Sequence, residues 1–251
     1  MKKFRSFFYE FLGVIFGVAI LNVWYLSSVA VEEGVVPKSY DYIINGFIIV
    51  VGAFIGSFSA FWLKKYEEEK ADKKRRVSVL NASIFIMVRQ LNAIHGFKNN
   101  FSSCNSSFER AFSMPALKPP DYSSLKLDLE GLYFFIDSGA ADLLLRLSVE
   151  QERFEQCVSA LEIRNDFYVN EVQPALSYYS LNGRPLPLSE FEEKLGERIF
   201  HGAVNGAENL YELVSSSERT LPAMIDELRR SAKDMFPEEK FVAWGRHEVQ
   251  T

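Results

Sequence analysis

Two apolar stretches near the N-terminus decide the fold: FLGVIFGVAILNVWYLSSVAV at residues 11–31 and YIINGFIIVVGAFIGSFSAFWL at residues 42–63. Neither stretch contains an Asp, Glu, Lys or Arg residue. A helix that crosses a bilayer needs roughly 20 mostly apolar residues, and each stretch is that long. The sequence therefore predicts a transmembrane hairpin over residues 1–63, with two spanning helices joined by a short loop.

Charge on the flanks of these spans predicts their orientation. Lys2, Lys3 and Arg5 precede the first span, whereas the connecting loop at residues 32–41 is mostly acidic. By the positive-inside rule both termini face the cytoplasm and the loop faces outward. A cleaved signal peptide fits the first span less well, because its apolar run is too long and a second span follows. Basic residues expected to contact anionic lipid head groups follow the second span: Lys64, Lys65, Lys73, Lys74, Arg75 and Arg76.

The rest of the chain carries an excess of acidic residues. The net charge is −5 although both membrane flanks are basic, so the negative charge resides mainly beyond residue 76. Nucleic-acid binding proteins instead cluster Lys and Arg on one face. No direct nucleic-acid binding is therefore expected.

A heptad pattern begins soon after the second span. Apolar residues at alternating spacings of three and four form a seam that must pack against another helix, within the domain or across a subunit interface. Nothing between the span and this pattern breaks a helix, so residues 64–98 are predicted to continue the second span as a juxtamembrane helix. The seam consists of Val77, Leu80, Ile84, Met87, Leu91 and Ile94.

Helical patterns also dominate the remaining sequence. Residues 99–124 are rich in Ser and Pro and are predicted to be a loop or linker. Residues 125–236 are predicted to form a cytoplasmic helical domain, which begins with two short helices at 125–139 and 140–147. A longer helix follows, which Ser148 caps and Pro174 stops. A turn or small hairpin around Asn182 and Gly183 then leads to a helix from Ser189 that restarts or kinks at Pro222. A tail follows at residues 237–251. No strand alternation persists, so the predicted fold class is all-α.

Small and polar residues in the spans suggest how helices could associate. Glycines four apart let helix backbones approach closely, either inside one hairpin or between subunits. Polar amides in hydrocarbon need partners, so Asn22 and Asn45 would form interhelical hydrogen bonds or line a polar pore face. Two helices enclose no lumen, so conduction would require a homo-oligomer. The small residues are Gly13 and Gly17 in the first span, and Gly52, Gly56 and Ala60 in the second.

No catalytic motif is present. His95, His201 and His247 lack metal-ligand spacing with each other or with Cys104 and Cys157. Phosphate-binding loops, nucleophile elbows and HExxH motifs are absent from the sequence. We therefore expect no enzyme activity, no metal and no cofactor.

The layout of two spans (residues 11–31 and 42–63), a tight outer loop (32–41) and a cytoplasmic helical domain resembles the two-span effectors of bacterial anti-phage systems, including retron-associated ones. The resemblance implies a protein of the bacterial inner membrane whose cytoplasmic domain is held by a regulatory protein or nucleoprotein. It also implies that, after activation, oligomerised hairpins permeabilise the membrane. The alternative hypothesis is a constitutive anchor whose hairpin tethers a helical protein-binding module.

Overall fold

The computed structural model describes residues 2–35, 37, 40–118, 120–181 and 187–244. Every regular element within these ranges is a helix, which confirms the predicted all-α class. The chain divides into two compact units, Met1–Asp72 and Lys73–Thr251. The turn predicted around Asn182 and Gly183 and the tail beyond residue 244 lie outside the described residues.

The first unit contains helix α1 (Lys2–Glu32) and the beginning of helix α2 (Tyr40–Phe101). Both helices are long and apolar enough to cross a membrane by their length and composition. Their large apolar side chains are exposed along the predicted spans, as at Ile49 and Phe54, each with 70% of its surface accessible. Helix α2 is continuous through residues 64–98, which the sequence assigned to the juxtamembrane helix.

The second unit begins within α2, and its described residues contain six further α-helices. A single 3₁₀ turn at Glu130–Leu132 precedes α4, and a π-helical turn at Tyr168–Val172 joins α5 to α6. The helices are α3 (Ser107–Phe112), α4 (Phe134–Asp137), α5 (Ala141–Phe167), α6 (Gln173–Tyr178), α7 (Leu188–Leu195) and α8 (Glu197–Met235).

Two hydrophobic cores hold this second unit together. The larger core combines apolar residues of α2, α5 and α8, including Leu80, Phe154 and Leu228. The smaller core gathers aromatic rings from α3, α7 and α8, where the ring centroids of Phe112 and Phe191 lie 5.0 Å apart. Offset and edge-to-face ring pairs of this kind stabilise a core beyond their buried area.

The predicted helix at residues 125–139 is wrong over its first half. Residues 125–129 are not helical, and only the 3₁₀ turn and α4 follow. The side chain of Gln151, on α5, accepts a hydrogen bond from the Leu127 amide at 3.1 Å, and Gln90 donates to the Leu125 carbonyl at 2.8 Å. The side-chain amides of Gln90 and Gln151 thus pair with the Leu125 carbonyl and the Leu127 amide, which in a helix would pair with other backbone groups.

Other helix boundaries also differ from the predicted ones. Ser148 does not cap a helix, because α5 begins earlier, at Ala141. Pro174 does not end the helical run but sits in the first turn of α6, where its missing amide costs nothing. Gly196, with φ of +76°, separates α7 from α8 in a left-handed conformation that favours glycine. Helix α8 then passes Pro222 without restarting.

Candidate functional site: the apolar helices and the helical domain

The glycine faces of α1 and α2 are uncovered. A Cβ atom built at Gly13, Gly17, Gly52 or Gly56 would meet no heavy atom within 4 Å beyond its chain neighbours and its own helix backbone. Ala60, one further step of four along α2, is exposed as well. Within the described residues, therefore, neither helix of the hairpin fills the glycine face of the other.

The two amides of the spans are also exposed. Asn22 donates to the Val18 carbonyl at 2.9 Å, four residues back in the same helix, so its amide has one local acceptor. Ser27 makes the equivalent bond to Val23 at 2.7 Å. The remaining hydrogen-bonding groups of Asn22, and the side chain of Asn45 on α2, are available to a second helix. Polar groups of this kind join helices in an apolar medium.

The predicted lipid-contacting residues divide between the two units. In the first unit, Lys64 and Lys65 are exposed, and Lys64 pairs with Glu68 at 3.8 Å. In the second unit, Lys73 forms an ion pair with Glu239 at 2.7 Å, whose hydrogen bond raises the pKa of the lysine. Arg76 stacks on Phe134, with its guanidinium carbon 5.3 Å from the ring centroid. Lys74 and Arg75 remain exposed.

The heptad seam lies in the larger core of the second unit. Leu80, Ile84, Met87 and Ile94 are fully buried, and Leu91 is nearly so. Val77 packs at the margin of the same core. The seam is filled by other helices of the same chain, so it supplies no argument for an oligomer through the soluble part.

A buried arginine fixes the segment after α3, and the sequence analysis missed it. The Arg164 guanidinium donates to the Pro115 carbonyl at 2.8 Å and also to the Met114 carbonyl. It lies 4.6 Å from the centroid of the Tyr168 ring. Burial lowers the pKa of Arg164 from its usual value. The signal was present, because Arg164 follows Leu161 on the buried stripe of α5.

The neighbouring Asn165 extends this attachment. Its side-chain oxygen accepts from the Leu117 amide at 3.1 Å, while its side-chain nitrogen donates to the Leu117 carbonyl. Helix α3 itself is capped by Ser106, whose hydroxyl accepts from the Glu109 amide at 3.2 Å. Residues 99–124 were predicted as loop or linker. They contain the end of α2, the short helix α3 and a segment without regular structure that Arg164 and Asn165 of α5 hold in place.

Several polar contacts join α5 to α8. Glu150 is buried and accepts from the Thr220 hydroxyl at 3.0 Å, while Arg153 donates to the same hydroxyl at 2.8 Å. Further along, the Cys157 thiol lies 3.3 Å from the Ser217 hydroxyl, and burial raises the pKa of this thiol. A free, buried, protonated thiol is a packing residue rather than a nucleophile.

A small cavity of about 180 Å³ lies in the second unit. Its walls are mostly apolar, and its lining includes Arg164, Phe167, Tyr168, Gly202 and Gly206. None of these residues forms a nucleophile and base pair. Among the residues that the structure describes, no three His, Cys, Asp or Glu side chains converge as a metal site. His95 is exposed, His201 contacts Glu192 at 3.0 Å, and His247 lies outside the described residues.

Comparisons with protein-family models, with curated proteins and with solved structures found no match to this chain. No family is therefore assigned to it.

Proposed function

We propose that the chain is an effector of the bacterial inner membrane. Its two apolar helices cross the bilayer with both termini in the cytoplasm, and several hairpins associate to permeabilise the membrane. A cytoplasmic regulatory protein or nucleoprotein controls the helical domain. Anti-phage defence is the biological setting that the layout suggests.

The uncovered glycine faces are the observation that carries this proposal. Gly52 and Gly56 lie one turn apart on α2, and among the described side chains none beyond their chain neighbours lies within 4 Å of a Cβ atom built at either position. Lipid tails can cover such a face, but a second helix covers it with closer packing, because small residues let backbones approach. The exposed amide of Asn45 adds a group that gains a hydrogen bond when helices associate. Both features favour association between hairpins.

The self-contained core of the second unit supports a separate role for that part. Its heptad seam is buried by its own chain, so assembly through the membrane helices leaves this domain folded. We therefore place oligomerisation in the spans and control in the helical domain.

The test is the double substitution Gly52→Leu with Gly56→Leu. Leucine favours membrane insertion but blocks close helix approach, so the variant should reach the membrane fraction and lose toxicity. The matched control is Val50→Leu with Phe54→Leu, which has the same spacing on the opposite face of α2 and removes no small residue. The control should remain toxic. A Gly52→Leu, Gly56→Leu chain as toxic as the wild type would refute assembly through this face.

The alternative function, a constitutive anchor, is favoured by the same self-contained core, which needs the hairpin only as a tether. It predicts that an unrelated two-span hairpin in place of residues 1–63 preserves function. The effector proposal predicts that this exchange abolishes toxicity while expression and membrane targeting persist.

A further inference from the structure

The last described residues form a strap across the second unit. After α8 ends at Met235, the chain turns, with the Glu239 amide donating to the Phe236 carbonyl at 3.0 Å, and residues 240–244 run without regular structure. Phe241 inserts into the larger core and is 8% exposed. We call residues 236–244 the strap.

Hydrogen bonds and an ion pair attach the strap to α2 and α8. On α2, Asn81 brackets its backbone: the side-chain nitrogen donates to the Lys240 carbonyl at 3.3 Å, and the side-chain oxygen accepts from the Val242 amide at 2.9 Å. Glu239 pairs with Lys73, the first residue of the second unit. On α8, Asp226 accepts from the Trp244 indole nitrogen at 2.9 Å.

The strap is fastened to the part of α2 that lies closest in sequence to the spans. Lys73 and Asn81 both precede most of the heptad seam, and the strap joins this stretch to α8. Val77 and Leu80, the first two seam residues, belong to the same core as Phe241. Loss of the strap would therefore remove the contacts that Lys73 and Asn81 make on this stretch of α2, while the apolar contacts among α2, α5 and α8 stay in place.

The strap is also the part of this core that can open most easily. It has no helix or strand of its own, and its ion pair with Lys73 is exposed. Segments held by a few side-chain contacts undergo local opening at much lower free energy than core helices do. By contrast, α5 and α8 are joined along their length by buried apolar residues.

We propose that the strap is an autoinhibitory element: docked, it holds the beginning of the seam in the resting state, and its release activates the hairpin. This inference rests on the proposed effector function and names the segment that a regulator would displace. The Asn81 bracket is its main fastening, because both hydrogen bonds depend on one side chain.

The main test variant is Asn81→Ala. Its matched control is Asn100→Ala on the same helix, since Asn100 makes the same bond to the carbonyl four residues back, at 2.8 Å, but does not contact the strap. Asp226→Ala, which removes the acceptor of the Trp244 indole, is a second variant on a different helix. If both variants change the measurements in the same way, the cause is release of the strap and not a local disturbance of α2, because Asp226 lies on α8.

Two measurements are made on the full chain. The first is acrylamide quenching of Trp244 fluorescence in purified protein, with Trp24→Phe and Trp62→Phe included for this assay alone so that Trp244 is the single tryptophan. The second is the onset of membrane depolarisation after induction in cells, at equal expression, without the tryptophan substitutions. Asn81→Ala should raise the released population about thirtyfold, because it removes both hydrogen bonds of the bracket and each contributes a factor of roughly five, and it should advance depolarisation.

The outcomes separate the two proposals. Greater quenching with depolarisation that starts as in the wild type and Asn100→Ala would overturn the autoinhibitory role. Unchanged quenching in both strap variants would overturn the assigned fastening. If no chain depolarises the membrane, the effector function itself fails, and the regulatory role fails with it.

Discussion

At the scale of single residues, Arg164 shows how one side chain can order a long segment. Buried guanidinium groups usually face a carboxylate, but Arg164 faces backbone carbonyls of residues 114 and 115 and the ring of Tyr168. Its guanidinium also donates to the Arg110 carbonyl in α3 at 3.4 Å, and carbonyls in the last turn of a helix carry partial negative charge that a cation complements. The position of Arg164 on an apolar stripe was readable from the sequence, whereas its acceptors, about fifty residues away, were not.

We expect Arg164→Met to lower the free energy of unfolding by about 3 kcal/mol. The methionine keeps the apolar stem but leaves buried carbonyls without a donor, and hydrogen bonds to charged groups contribute roughly 1.5–3 kcal/mol each. Urea unfolding of the full chain in mild detergent, followed by circular dichroism, measures the change.

Arg198→Met is the control for this substitution. Arg198 donates to a carboxylate instead of to backbone carbonyls, with Glu171 at 2.7 Å, and its side chain is 70% exposed. Exposed pairs contribute at most about 1 kcal/mol. Equal losses in the two variants would show that the buried carbonyl contacts of Arg164 do not hold the segment.

At the scale of elements, apolar periodicity predicted helices well where a single stripe continued and poorly where tertiary contacts intervened. The stripe from Val77 to Ile94 lies in one helix. Residues 125–129 have helical spacing but form no helix, because Gln90 and Gln151 pair with the backbone groups of Leu125 and Leu127. The Ser106 and Glu109 spacing that caps α3 was a usable signal inside a stretch predicted as loop.

Helix α8 shows the opposite effect, in which packing overrides a local breaker. Pro222 lacks an amide hydrogen, yet the helix continues to Met235. Leu221, Ile225 and Leu228 on either side are fully buried in the larger core. Burial of this stripe outweighs the lost backbone hydrogen bond.

Pro222→Ala should therefore raise the free energy of unfolding by about 1–3 kcal/mol, because alanine restores the missing amide in a helix interior. The same urea titration measures it, with Glu212→Ala as an exposed substitution in α8 that should change stability by only about 0.5 kcal/mol. A less stable Pro222→Ala chain would mean that packing of the proline ring outweighs the backbone.

At the scale of the whole molecule, the chain consists of two units that differ in how they expose apolar residues. The first unit exposes large apolar side chains along helices of spanning length, and the second encloses its apolar residues in two cores. Composition alone separated these parts, since charge-free runs and a heptad seam are both visible in the sequence. The uncovered glycine faces and the strap required coordinates, because each depends on which atoms lie nearby.

The measurement that tests the effector proposal most directly is induced expression of the full chain in a bacterial host, with growth and a membrane-potential dye followed together. We predict depolarisation that begins before growth arrest, since permeabilisation would cause the arrest. Normal growth and a steady membrane potential in both the wild type and the strap-releasing Asn81→Ala chain, with each chain recovered in the inner-membrane fraction, would contradict the proposal and favour a constitutive anchor.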